Sequence, residues 1–285
     1  TRPRRLLSPL KFQTHDPKRC RRRIKASLPL PCLLQPTRIT CTPLVVFPPH
    51  TQNKTLTPAS DLQRCLIADM YPFPAFGMTV VAHFFGLLAL ALMLVWLLHY
   101  REGLDLDSDN GFRVFNVHPF LMYFGFIFFM GEGMMAFKTA WGDRRVRKFV
   151  HMGIHLSAIV LGIVGIHAVF KFHDMRNIAD MYSLHSWLGM ATFCLFILQW
   201  LFGQVLFMFQ ATAAGTRQAA LPWHVSGGRA LLYMAICTAA TGLMEKFTFL
   251  QLQEQREARL MNFLGLAIVL FGISVDLSVS LARFA

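Results

Sequence analysis

From residue 76 onward the chain alternates between long apolar runs and short polar connections. Six of these runs are predicted to be helices that cross a bilayer: Phe76–His99, His118–Phe137, Phe149–Phe170, Leu184–Phe209, His224–Glu245 and Leu260–Arg283. At about 1.5 Å of rise per residue, each covers a hydrocarbon core of about 30 Å. Lipid offers backbone N–H and C=O groups no partner, so runs of this length satisfy them internally, as helices.

Residues 1–75 break the pattern. Prolines are frequent, no helical period is sustained, and Arg21-Arg22-Arg23-Ile24-Lys25 is a run of charge. This segment is predicted to be a disordered, basic, Pro-containing tail ahead of a membrane domain spanning 76–285. An Arg-rich, acid-poor segment also fits an organelle transit peptide, although serine is sparse.

Composition agrees with a membrane chain. Hydrophobic residues make up 54% and charged residues only 15%, with a mean hydropathy of +0.44, which excludes an ordinary soluble domain. The net charge of +13 is concentrated in residues 1–70, which hold 13 Lys/Arg against three Asp. The remaining basic residues lie mostly in short connections, so nucleic acid is not the expected partner. The second connection carries Lys138, Arg144, Arg145, Arg147 and Lys148 against Asp143. The first carries Glu102, Asp105, Asp107 and Asp109 against Arg101 and Arg113. The positive-inside rule therefore puts the tail and the second connection in the cytoplasm, and six spans return the C-terminus to the same side. The sequon at Asn53 would then be out of reach of glycosylation. Among the six cysteines no C-x-x-C or C-x-x-C-H occurs, and Cys194 and Cys237 read as packing residues.

Nine of the eleven histidines lie at or after residue 83. Ionisable side chains within a bilayer are costly, so each is a functional candidate. Position along a span gives depth. His118 and His185 open spans that run inward, so both lie near the outer face. His151 and His224 open spans that run outward, so both lie near the cytoplasmic face. One such histidine alone is usually an interfacial residue, but four at matched depths in four helices point to axial ligation. The predicted fold is thus all-α, a six-transmembrane-helix bundle whose spans two to five enclose two non-covalent b haems. Iron with two axial imidazoles suits outer-sphere electron transfer. His155, one turn from His151, reads as a supporting neighbour. His99 reads as interfacial, His167 as packing beside the outer haem, and His83 as having no partner at its depth. Glu132 and Asp276 also show no matched partner, and Glu245 reads as a boundary pair with Lys246.

Several motifs together resemble the cytochrome b561 family of transmembrane ascorbate-dependent oxidoreductases. They are Leu98-His99-Tyr100-Arg101-Glu102-Gly103, Phe115-Asn116-Val117-His118-Pro119, Phe149-Val150-His151, Tyr182-Ser183-Leu184-His185-Ser186-Trp187, Pro222-Trp223-His224 and Gly242-Leu243-Met244-Glu245-Lys246. Gly131-Glu132-Gly133 through Lys138-Thr139 is most similar to plant members. The resemblance implies haem ligation by His118 with His185 and by His151 with His224, the pairs that depth selects. It implies cytoplasmic ascorbate as donor, bound near Arg145, Arg147, Lys148 and Arg217. The implied acceptor on the far side is monodehydroascorbate or a ferric chelate, near His173 and Tyr182. It further implies a vacuolar or other endomembrane, with the plasma membrane as the alternative, and a homodimer.

Two other classes compete. A divalent-metal transporter would use intramembrane His and Glu as ligands, but needs them clustered at one midplane site. A haem-based sensor would bind the same groups without turnover.

Overall fold

A computed structural model of the chain describes residues 72–208, 212–252 and 255–281. Nearly all of the predicted tail, with its sequon at Asn53, and the predicted span ends at Phe209 and Arg283 lie outside the described residues. Among the described residues six helices are long and apolar enough to cross a membrane: α1 (Gly77–Tyr100), α2 (Gly111–Thr139), α3 (Arg144–Arg176), α4 (Leu184–Met208), α5 (Ala214–Phe249) and α6 (Arg256–Leu281). They coincide with the predicted spans except at their ends. The helix that carries the α1 span extends back to Pro72, inside the stretch predicted as tail. Proline suits a first helical turn, where its missing N–H would have had no intrahelical partner.

Local side-chain chemistry sets several boundaries. The Asn110 side chain accepts the Phe112 N–H at 3.0 Å to open α2, and the Asp143 side chain accepts the Val146 N–H at 2.9 Å to open α3. Ser183 and Ser186 form a reciprocal capping box at the start of α4. The α3 helix ends on Asn177 with φ of 52°, a left-handed turn that asparagine tolerates well. In the first connection Gly103 has φ of 90°. There the buried Asn116 donates to the Arg101 and Gly103 carbonyls at 2.6 and 2.7 Å, fastening that connection onto α2.

Helices α2 to α5 form a ring in which each packs on the next and α5 closes on the middle of α2. The α1 and α6 helices pack along one another, and α6 also touches α2 and α5, so the pair flanks the ring. Phe126 sits inside the ring, edge-on to Phe193 and Phe196 at 5.3 and 5.0 Å. Outward-facing Phe84, Leu87, Leu198, Phe202, Phe263 and Leu266 leave an apolar surface that suits lipid. Trp141 and Trp187 are exposed at helix ends, and Trp223 is exposed beside Pro222 in α5; indoles favour the membrane boundary.

Two internal prolines interrupt the ring helices, and both lie beside a histidine: Pro119 after His118, and Pro222 just ahead of His224. Proline lacks an N–H and crowds the carbonyl one turn back. In α2 the helix widens after it into a π-helical stretch, Leu121–Phe128.

The membrane-embedded charges have partners that spacing did not reveal. His83 and Glu132 meet at 3.2 Å although 49 residues apart, and His83 Nδ1 donates to the Thr79 carbonyl at 2.7 Å. Asp276 holds Arg229 through two bonds, one of 2.9 Å. The expectation that His83, Glu132 and Asp276 lack partners is therefore corrected: buried or lipid-level charge is costly unless paired, and helix packing supplies the pairs. Cys194 and Cys237 are exposed on helix surfaces rather than packed inside. In lipid a thiol behaves as a small apolar group, so exposure there carries little cost.

Candidate functional site

Two histidine pairs meet inside the ring, one toward each end. The rings of His118 on α2 and His185 on α4 have centroids 6.1 Å apart and planes at 89°. Those of His151 on α3 and His224 on α5 are 6.2 Å apart at 66°. With metal–nitrogen bonds of about 2.0–2.1 Å on each side and roughly 1.1 Å from nitrogen to ring centre, two axial imidazoles on one metal stand about 6.2–6.4 Å apart. The His151/His224 pair has that spacing, and the His118/His185 pair, at 6.1 Å, lies just inside it.

The ring nitrogens are oriented for ligation. His118 Nδ1 donates to the Gly165 carbonyl at 2.9 Å, His185 Nδ1 to Thr238 at 2.9 Å, and His151 Nδ1 to Gly133 at 2.7 Å. A proton held on Nδ1 leaves the Nε2 lone pair free for a metal and fixes the ring plane. His224 differs, since its Nδ1 faces the Gln199 amide nitrogen at 3.3 Å.

The surroundings also fit a porphyrin. A cavity of about 570 Å³ contains His118 and His185 and is walled by Met122, Phe126, Ile166 and Leu243. Such apolar, aromatic walls with a few polar groups are what a flat organic cofactor needs. Gly242 lies so close to His185 that a Cβ there would be 2.6 Å from Cε1 of the ring. His155, buried against His151 with ring centroids 4.4 Å apart, has an Nδ1 with no hydrogen-bond partner among the described residues. An orphaned buried nitrogen beside a ligand pair fits a bound group with a polar edge. The residues at both pairs thus fit a bis-histidine haem. Among the described residues no three His, Cys, Asp or Glu side chains cluster as a metal-ion site, the arrangement a metal transporter would need.

At the end carrying the second and fourth connections, Arg144, Arg145, Lys148 and Arg217 line a cavity of about 710 Å³ with Phe149, Phe207 and Met208. Arg145, Lys148 and Arg217 are brought together as expected. Arg147 is not; it points toward α2 and donates to the Phe137 carbonyl at 3.2 Å. Helical rotation of about 100° per residue places 144, 145 and 148 on one face and 147 on another, so Arg144 takes its place. Lys148 also donates to the Phe207 carbonyl at 3.0 Å, and the Phe207 ring lies 5.1 Å from that of His224. Phe207 therefore touches both the basic cavity and the histidine pair beneath it.

At the opposite end His173 and Tyr182 line the same cavity as His118 and His185. Their rings are 6.5 Å apart, and His173 Nδ1 bonds Asp180 at 2.7 Å. Burial, and after it the Glu245 carboxylate, push the Tyr182 phenol above its ordinary value. Two cations that sequence reasoning missed stand at this mouth. Lys246 lies 3.8 Å over the Phe115 ring and Arg176 lies 4.4 Å over Phe112. Lys246 was expected to pair with Glu245; instead Glu245 accepts from the Ser183 hydroxyl at 3.3 Å, because adjacent residues on a helix point in different directions. Phe115 bridges inward, 6.2 Å from His118. His99 and His167 are exposed on their helices and do not line the cavity that contains His118 and His185.

A family model for eukaryotic cytochrome b561 matches residues 117–250, which contain all four paired histidines. The chain is 41% identical over 212 residues to transmembrane ascorbate ferrireductase 2 of Arabidopsis thaliana, covering 73% of this chain and 91% of that protein. It is 43% identical over 203 residues to probable ascorbate-specific transmembrane electron transporter 1 of Oryza sativa subsp. japonica, covering 69% and 86%. It is 38% identical over 196 residues to a plasma membrane ascorbate-dependent reductase of Xenopus laevis, covering 66% and 68%.

Proposed function

The chain belongs to the cytochrome b561 family, and from that premise we propose that it is a transmembrane oxidoreductase. It takes single electrons from ascorbate at its basic end and delivers them, through two b haems, to an acceptor at the other end. One observation carries this reading: two histidine pairs at axial-ligand spacing lie toward opposite ends of one helical ring. When bound, bis-histidine haem supplies one-electron chemistry with no open coordination position.

The chain's own residues do the rest. Ascorbate is a monoanion at neutral pH, and Arg144, Arg145, Lys148 and Arg217 raise its concentration at the basic mouth. Phe207 closes the gap between that mouth and His224. By the positive-inside rule the basic end, with both termini, faces the cytoplasm. At the far end Lys246 and Arg176 favour an anionic acceptor, either monodehydroascorbate or a ferric chelate, beside His173 and Tyr182. Family resemblance favours a vacuolar or other endomembrane, with the plasma membrane as the alternative.

The test is a proteoliposome loaded with a ferric chelate and given ascorbate outside. Internal iron should be reduced only where the haem-loaded protein is present. Protein that purifies without haem, or that carries haem yet leaves the internal iron oxidised, would refute the proposal. Haem reduced by ascorbate far too slowly for turnover would point to a sensor.

A further inference from the structure

The two histidine pairs are not built alike. Three of the four Nδ1 atoms, those of His118, His185 and His151, donate to backbone carbonyls. Among the described residues the hydrogen-bonding group on His224 Nδ1 is a side chain, the Gln199 amide of α4 at 3.3 Å. The same amide nitrogen donates to the carbonyl of His224 itself at 2.6 Å. Gly227 and Gly228 of α5 give it room, for a Cβ on Gly227 would come within 3.2 Å of the amide oxygen and one on Gly228 within 3.8 Å of its nitrogen.

A backbone carbonyl only accepts. An amide side chain offers either a donor or an acceptor, according to how it is turned. With Nε2 committed to a metal, a neutral imidazole carries its proton on Nδ1, so a donor is left facing the amide nitrogen. Turning the amide oxygen to that proton satisfies it and gives up the bond to the His224 carbonyl. The strength of the bond on Nδ1 matters because an acceptor there raises the ligand's basicity, and a more basic ligand favours the oxidised metal.

We propose that Gln199 is a positioning residue that sets the reduction potential of the haem held by His151 and His224, by acting as the adjustable hydrogen-bond partner of His224. The proposal rests on the reading of two bis-histidine haems. The haem held by His118 and His185, whose nitrogens both meet backbone carbonyls, lies outside this control. Gln199 thus lets one haem be tuned against the other by a single side chain.

The experiment is a potentiometric titration of the haem-loaded full chain, comparing the parent protein with Gln199→Glu and Gln199→Met. Each transition is assigned by its disappearance in His118→Ala or His224→Ala. A carboxylate is the stronger acceptor, so Gln199→Glu should shift the His151/His224 haem toward the oxidised form by about tenfold in equilibrium, about 59 mV for one electron. Methionine keeps the length and removes the acceptor, so Gln199→Met should shift the same haem toward the reduced form. The His118/His185 haem should not move, and its absorbance serves as the check on folding. If the His151/His224 midpoint stays put in both variants, or if both haems shift together, Gln199 has no such role and the two-haem reading stands. If the parent protein shows only one haem transition, the two-haem reading itself fails.

Discussion

Trp96 on α1 and Glu257 on α6, 161 residues apart, are joined by an indole N–H that donates to the carboxylate at 2.8 Å. The Arg101 guanidinium donates to the same oxygen, its Nε at 2.6 Å. Glu257 is buried and lies in the first turn of α6, where the helix dipole also favours negative charge. Glu257→Ala would strand a largely buried cation and an indole donor together. The expected cost is about 3 kcal/mol, the scale for removing one partner of a buried pair. Thermal unfolding of the haem-loaded protein, followed by loss of haem absorbance, measures it. An unchanged melting temperature would mean that water or lipid headgroups replace the carboxylate without loss.

Ligand removal should be selective. His118→Ala or His185→Ala should leave the His151/His224 haem in place, and His151→Ala or His224→Ala should leave the other. In each case the haem-to-protein ratio should fall by about half, since under the proposed function each pair would hold its own haem. Pyridine haemochrome assay against protein concentration reads this directly. Retention of both haems in all four variants would reject the pairing seen in the ring contacts.

A single methyl group should act like a ligand mutation. At Gly242 a Cβ would come within 2.6 Å of the His185 ring, so Gly242→Ala should displace that imidazole and weaken the His118/His185 haem. Gly153, where a Cβ would meet nothing within 4 Å among the described residues, is the control, and Gly153→Ala should bind haem as the parent does. Optical spectra of the two variants at equal protein concentration decide the matter.

The basic cavity predicts a graded response to charge. Arg145→Gln, Lys148→Gln and Arg217→Gln should each raise KM for ascorbate, by roughly threefold to tenfold at low salt, and flatten its dependence on ionic strength. Arg144→Gln should do the same, whereas Arg147→Gln should stay near the parent value because Arg147 points elsewhere. Initial rates of haem reduction across ascorbate and salt concentrations test all five. An Arg147 variant as impaired as the others would show that the cavity is only part of the ascorbate site.

The six apolar runs were legible because lipid leaves a backbone no alternative to the helix, so hydropathy alone marks the spans. Helix ends were less legible. The α3 and α5 helices run beyond their apolar cores, since polar turns such as Arg144–Lys148 still close their own hydrogen bonds outside the hydrocarbon. The caps that end such turns depend on one or two side chains, as with Asp143 and Asn177.

Depth was written in the linear chain. A fixed rise per residue converts position along a span into height, so His118 could be matched with His185, and His151 with His224, without any knowledge of neighbours. Direction around each helix axis was not written there. Whether Arg144 or Arg147 faces the basic cavity, whether Lys246 turns to Glu245 or to Phe115, and which groups meet His83, Asp276 and His224 all depend on how the helices rotate against one another. That rotation is settled by many weak contacts between distant segments, and only the packed bundle reveals it.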